Sequence, residues 1–117
     1  MSSKRSSRGR TDPSLRNTAP IFAALGDRTR LRLVARLSAA GPMSIARLTA
    51  GGSITRQAVS KHLGVLAGAG LASCFRKGRE SVWELNQWSL EEARRYLDGI
   101  SAQWDSALDR LKKFVEN

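Results

Sequence analysis

Residues 54–70 read ITRQAVSKHLGVLAGAG, a helix with both of its ends written into the sequence. Thr55 is suited to cap the start by accepting from an early backbone N–H, and Ile54 before it is placed to staple onto Val59 one turn later. At the far end Gly70 suits the left-handed residue just past a helix, and Leu71 then returns to touch Leu66. Between the caps Val59, Leu63 and Leu66 follow the i, i+4, i+7 spacing of a buried stripe, while Gln57, Ser60, Lys61 and Gly64 fall on the opposite side. One face packs and the other is presented.

The presented face joins a planar amide, a hydroxyl and a cation to a residue without a side chain, with Arg56 about 40° round the helix from Ser60. Arg56 and Gln57 have the donor geometry to pair bidentately with guanine and adenine edges, and Ser60 and Lys61 suit phosphate. The surroundings decide between such a reading helix and an ordinary amphipathic one. Upstream, Ser44 caps a short helix through Leu48 to about Ala50, and Gly51-Gly52 supplies a turn before Thr55. A short helix, a glycine turn and a second helix with a polar outer face are the order of a helix-turn-helix.

Further upstream, Asp27 starts a helix in which Leu31, Val34 and Leu37 are predicted to point inward and Arg28, Arg30, Arg32 and Arg36 outward; Gly41 and Pro42 end it. Before that, Thr18 is predicted to cap a helix carrying Ile21, Phe22 and Leu25, with Pro20 near its first turn and Gly26 as its stop. Residues 1–17, MSSKRSSRGRTDPSLRN, are rich in Ser and Arg and nearly devoid of apolar side chains, which predicts a flexible basic arm.

Downstream of Gly70 the period changes to two. Leu71, Ser73 and Phe75 alternate against Trp83 and Leu85 across Arg76-Lys77-Gly78-Arg79, a hairpin whose tip carries the bases Arg76, Lys77 and Arg79. A two-stranded ribbon is not stable alone, so its apolar face is expected to lie on the helices as a wing. Ser89 is then predicted to cap a long final helix in which Leu90, Ala93, Leu97, Ile100, Trp104, Ala107, Leu111 and Phe114 recur at steps of three and four, with Tyr96, Leu108 and Val115 widening the row. Little chain is left to cover such a seam, so Leu97, Ile100, Trp104, Leu111 and Phe114 are expected to meet a second copy of the chain.

Composition sets the outer limits. The 117 residues are one domain's worth, with a formal charge of +10 and a pI near 11.3, a balance that favours a polyanionic partner. From Ser89 onward five bases meet six acids, so the net positive charge lies entirely before the final helix. His62 and Cys74 are the sole histidine and cysteine, which leaves no disulfide within a chain and no ligands for a Cys/His metal centre. Cys74 reads first as a small apolar filler and second as a redox-sensitive thiol. No apolar run is long enough for a membrane span or a signal peptide, so the expectation is a cytoplasmic protein with no membrane partner. The lone histidine and the lack of an acidic pair beside it argue against an enzyme, and nothing points to a cofactor.

The runs AALGDRTRLRLVARL, TRQAVSKHLGVLAGAGL and RKGRESVWEL together resemble the arsenic-repressor-like (ArsR) family of bacterial winged-helix transcription regulators, over about Pro20 to Leu85. The resemblance implies major-groove contacts by Arg56, Gln57, Ser60 and Lys61, a histidine, His62, beside the DNA backbone, and a symmetric dimer that represses transcription until an effector binds. The cysteine pair common in the family is missing from Ser44-Ile45-Ala46-Arg47-Leu48, and the final helix holds no His or Cys, so metal response through the usual sites is not expected. The sequence thus predicts a mostly helical winged helix-turn-helix with a small β-hairpin, divided into a basic arm (1–17), a DNA-binding domain (18–88) and a C-terminal dimerisation helix (89–117). Its expected partners are double-stranded DNA and a second copy, with the effector unknown. A non-specific nucleoid- or RNA-binding structural protein is the alternative.

Overall fold

The computed structural model describes residues 13–116, with side chains from residue 18 onward. Five helices and three strands follow in the order α1 (Pro13–Leu25), α2 (Arg28–Ala40), β1 (Met43–Ser44), α3 (Ile45–Thr49), α4 (Arg56–Gly68), β2 (Ala72–Lys77), β3 (Glu80–Leu85) and α5 (Gln87–Glu116). The strands form one antiparallel sheet in the order β1-β3-β2. The architecture is therefore mostly helical with a small sheet, as the sequence predicts.

Helix α4 is built as its sequence dictates. Thr55 Oγ1 accepts from the Ala58 N–H at 3.1 Å, and Val59, Leu63 and Leu66 are buried at 2%, 0% and 0% exposure. At its end Leu71 N–H donates to Leu66 O at 2.9 Å and Gly70 N–H to Ala67 O at 3.0 Å, a Schellman finish. Gly70 adopts φ +81°, the left-handed conformation that this finish requires. The core gathers around this helix. Ile21 and Ala24 from α1, Leu33 and Leu37 from α2, Ile45 and Leu48 from α3, Leu71, Ala72, and Ala93 from α5 form one cluster with it.

Several expectations need correcting. The first helix starts at Pro13, not after Thr18, so Thr18 lies inside it and is 1% exposed, and Pro20 sits mid-helix. Pro13 is an able first-turn residue, and the second proline points falsely to a later start. The expected arm thus loses its last five residues to α1; residues 1–12 lie outside the described part. In α2 the inward row is Leu33, Val34 and Leu37, whereas Leu31 is 51% exposed. Counting back along that row lands on Arg30, a half-buried arginine beside the apolar residue that the sequence pattern favours.

The wing departs from the expected pairing. Its turn has two residues, Gly78-Arg79, closed by the pair Lys77 and Glu80, with Gly78 at φ +64° as a type II′ turn needs at its first position. Phe75 then pairs with Val82 rather than sharing a face with Trp83 and Leu85, which stand with Cys74 and Ala72 on the side packed toward the helices. Strand β1 is not predicted by the sequence. Met43 and Ser44 pair with Trp83 and Val82, so the ribbon gains a third strand between α2 and α3. A two-residue strand is below the length at which alternation is visible.

The cap of α5 also moves. Asn86 Oδ1 accepts from the N–H groups of Trp88 and Ser89 at 3.0 and 3.4 Å, so Asn86, not Ser89, caps the helix. Tyr96 does not widen an outward seam: its ring lies 6.0 Å from that of Phe22 at 50°, fastening α5 to α1. The apolar row along α5 therefore divides. Leu90 and Ala93 belong to the chain's own core, while Leu97, Trp104, Leu111 and Phe114 are exposed, Phe114 to 80%.

Candidate nucleic-acid interface

Because the Thr55 cap and the buried stripe fix the rotation of α4, its opposite face is turned to solvent. Arg56, Gln57, Ser60, Lys61 and Gly64 are all exposed. None of Arg56, Lys61, Arg76, Lys77 or Arg79 takes part in the ion pairs of the described residues, which all lie elsewhere. A surface cation without a partner keeps its full charge for an incoming polyanion. Gly64 has open space where a Cβ would stand, so nothing blocks a close approach of the helix there.

The wing closes one side of this surface. Arg56, Gln57 and Ser60 line a cleft of about 400 Å³ whose far wall is Cys74, Ser81 and Trp83 on β2 and β3, with Ile45 of α3 at its floor. Three of the residues predicted on the helix thus face the wing strands across one concavity, while the three tip bases Arg76, Lys77 and Arg79 are exposed and are not among its lining residues. Cys74 is an exposed free thiol on that wall rather than a core filler.

His62 is set apart from the other predicted contacts. It is half-buried, with Nδ1 3.3 Å from Arg30 Nη1 and 3.8 Å from Asp27 Oδ2. A guanidinium only donates, so in this contact Nδ1 is the acceptor. Arg30 also donates through Nε to the Ala24 carbonyl, and Asp27 caps α2 by accepting the Arg30 backbone N–H at 3.0 Å. That backbone hydrogen bond, with the Arg30 charge beside it, holds the Asp27 carboxyl below its ordinary range despite partial desolvation. This cluster ties the start of α2 to the middle of α4. The sequence marks Asp27 as a cap and His62 as a contact but not their meeting; the period of α2 counted from Leu33 is the signal that places Arg30 beside α4.

A second clasp lies at the helix-turn-helix itself. Arg36 donates from Nη1 to Leu48 O at 2.8 Å and from Nη2 to Arg47 O at 3.3 Å, two carbonyls at the end of α3, of which that of Arg47 also accepts the Ala50 N–H at 3.3 Å. Among the described residues no three His, Cys, Asp or Glu side chains come together as a metal site would need, and no helix is long and apolar enough to cross a membrane.

A two-helix reading unit flanked by a basic winged sheet defines a winged helix-turn-helix DNA-binding protein. Residues 25–74 match the family model described as a helix-turn-helix domain. The chain is 41% identical over 81 residues to YuzN, an uncharacterized HTH-type transcriptional regulator of Bacillus subtilis, covering 64% of this chain and 88% of that one. It is 34% identical over 96 residues to the HTH-type transcriptional regulator Rv2034 of Mycobacterium tuberculosis, covering 82% and 86%. An ArsR-like transcriptional regulator from Rhodococcus superposes with a TM-score of 0.73 at 33% identity, covering 86% of this chain and 94% of that one. The chain belongs to the ArsR-like family of winged helix-turn-helix transcriptional regulators. Its family members are DNA-binding regulators and not enzymes.

Proposed function

We propose that the protein is a homodimeric repressor that reads an inverted repeat in double-stranded DNA, and that its response does not run through the family's usual metal sites. The observation that carries this reading is the pairing of two surfaces on one chain. One is the exposed, unneutralised row Arg56, Gln57, Ser60 and Lys61 on α4. The other is the exposed apolar row Leu97, Trp104, Leu111 and Phe114 with half-buried Ile100 on α5. A row of large apolar side chains in water is unfavourable unless something covers it, and α5 of a second copy offers the same row by symmetry.

In this reading Arg56 and Gln57 contact base edges, Thr55, Ser60, Lys61 and His62 contact phosphates or set the helix against them, and Arg76, Lys77 and Arg79 reach the neighbouring backbone. The reading unit falls within residues 18–88 and the pairing helix within 89–117, and the work is done in the cytoplasm, where DNA is reached. Selection of bound duplexes from a random pool tests the proposal. The expected product is an inverted repeat whose half-site centres are about 10 base pairs, or a multiple, apart. Binding with no enriched sequence and a steep salt dependence would instead favour the non-specific nucleoid- or RNA-binding alternative.

A further inference from the structure

Beneath the helix-turn-helix lies a second cleft, of about 420 Å³, between α2 and the turn joining α3 to α4. Its floor is Leu33, Leu48, Ile54 and Val59, and its rim carries the guanidinium groups of Arg32 and Arg36, with no acid among the lining residues. Arg36 is committed to the carbonyls of Leu48 and Arg47, but the Arg32 guanidinium has neither a hydrogen-bond acceptor nor a carboxylate partner among the described residues. Gly51 and Gly52 border the mouth without side chains to close it.

From this arrangement we propose that the cleft is a binding site for a small amphipathic organic anion, a carboxylate with an apolar tail or ring, whose occupancy lowers the affinity for DNA. The volume is within the range of small-molecule sites, roughly 300–1,000 Å³. Arg32 offers a free planar fork to a carboxylate, reinforced by the positive charge of Arg36, and the apolar floor offers burial to the rest of the molecule. A bare inorganic anion would gain from the rim and find nothing on the floor, which is why the chemistry fits an organic acid. The link to DNA comes from who shares the walls. Ile54 and Val59 are the two residues of the α4 staple, Leu48 is the buried anchor of α3, and Arg36 holds the end of α3 to α2. A guest there touches all three helices and shifts the start of α4, where Arg56 and Gln57 stand. This regulatory step rests on the DNA-reading proposal; the binding step does not.

The test uses the purified full-length protein, first without DNA. Octanoate and benzoate are titrated calorimetrically, with 1-octanol and inorganic phosphate as arms for tail alone and charge alone. At least one carboxylate is expected to bind once per protomer, with 1-octanol and phosphate much weaker. Arg32→Gln is expected to weaken it roughly tenfold or more, and Arg32→Lys less, as removal of a charge-assisted bidentate pair implies. Arg32 lies on the exposed side of α2, so circular dichroism of both variants is expected to match the wild type. Neither carboxylate binding more tightly than about 1 mM, or binding indifferent to Arg32→Gln in a folded variant, would overturn the site. In the second stage the carboxylate is added to the protein on its selected duplex; affinity is expected to fall for the wild type and to change less for Arg32→Gln. Arg32-dependent binding without any change in DNA affinity would overturn the effector role. Failure to select a duplex at all would count against the DNA-reading proposal and leave the first-stage result standing.

Discussion

Ser89 Oγ donates to the Gly70 carbonyl at 2.8 Å, joining the first turn of α5 to the residue that ends α4. Ser89 is 8% exposed, so this bond is sheltered and the two helices are fixed to each other through it. The end of α4 is thus tied to the start of the proposed pairing helix, so that in the proposed dimer a change in how two α5 helices pack would reach α4. Ser89→Ala is expected to lower the unfolding free energy by about 1 kcal/mol, measured by urea denaturation. Gly70→Ala is expected to cost roughly 1–2 kcal/mol for a different reason, the left-handed φ that an alanine resists. An unchanged urea midpoint for Gly70→Ala would mean that α4 does not end in the Schellman geometry.

Arg56→Ala or Gln57→Ala is expected to weaken binding to the selected duplex by about 1–3 kcal/mol and to relax preference at one position in each half-site. Lys61→Ala is expected to weaken all sequences more evenly. Titration of a panel of single-base variants of the duplex distinguishes the two patterns, and an Arg56→Ala protein with unaltered affinity and preference would remove this helix from the groove.

The wing supplies a prediction in salt. Replacing Arg76, Lys77 and Arg79 with Gln should flatten the dependence of log K on log salt by roughly one unit for each phosphate that the tip no longer neutralises. Base preference should survive, because the tip carries charge and not base-reading geometry. A slope identical to that of the wild type would point the hairpin away from DNA.

Acid stability is expected to depend on Asp27. Its folded carboxyl titrates below its unfolded value, so it contributes stability that is fully present above the unfolded value and lost as pH falls through the folded one. Asp27→Asn should therefore lower stability at neutral pH and make the acid limb of the stability profile shallower below about pH 4. Denaturant midpoints measured from pH 7 down to pH 3 check this; equal acid limbs in the two proteins would show that the carboxylate has no such role.

How much of the molecule is legible in the sequence follows the range of each interaction. Helix α4 is legible end to end because Thr55, Ile54, Gly70 and the Val59-Leu63-Leu66 stripe act within a few residues of one another. The hairpin is visible by its period but its register is not, since the choice between a two- and a four-residue turn rests on the φ of Gly78. The start of α1 and the cap of α5 are ambiguous where two eligible residues stand close together, Pro13 against Pro20 and Asn86 against Ser89. The features that the sequence hides all join residues far apart in the chain. Arg30 to His62, Arg36 to Leu48, and Ser89 to Gly70 each link different elements, and nothing local marks one arginine among the several in α2 as the inward one. The cleft under the turn is likewise hidden, because its walls come from α2, α3 and the start of α4.

The most direct test of the account joins pairing to reading. Ile100→Glu with Trp104→Glu places charges in the middle of the exposed α5 row, where each wild-type side chain is worth on the order of 1.5–3 kcal/mol when buried, counted twice by symmetry. Neither residue belongs to the buried cluster around α4. Sedimentation of the wild type and the double variant, paired with titration of the selected duplex, is the measurement. A dimeric wild type, a folded monomeric variant, and a loss of specific binding far larger than the loss of non-specific binding are expected. A variant that stays dimeric, or a monomeric wild type that binds a single half-site tightly, would contradict this.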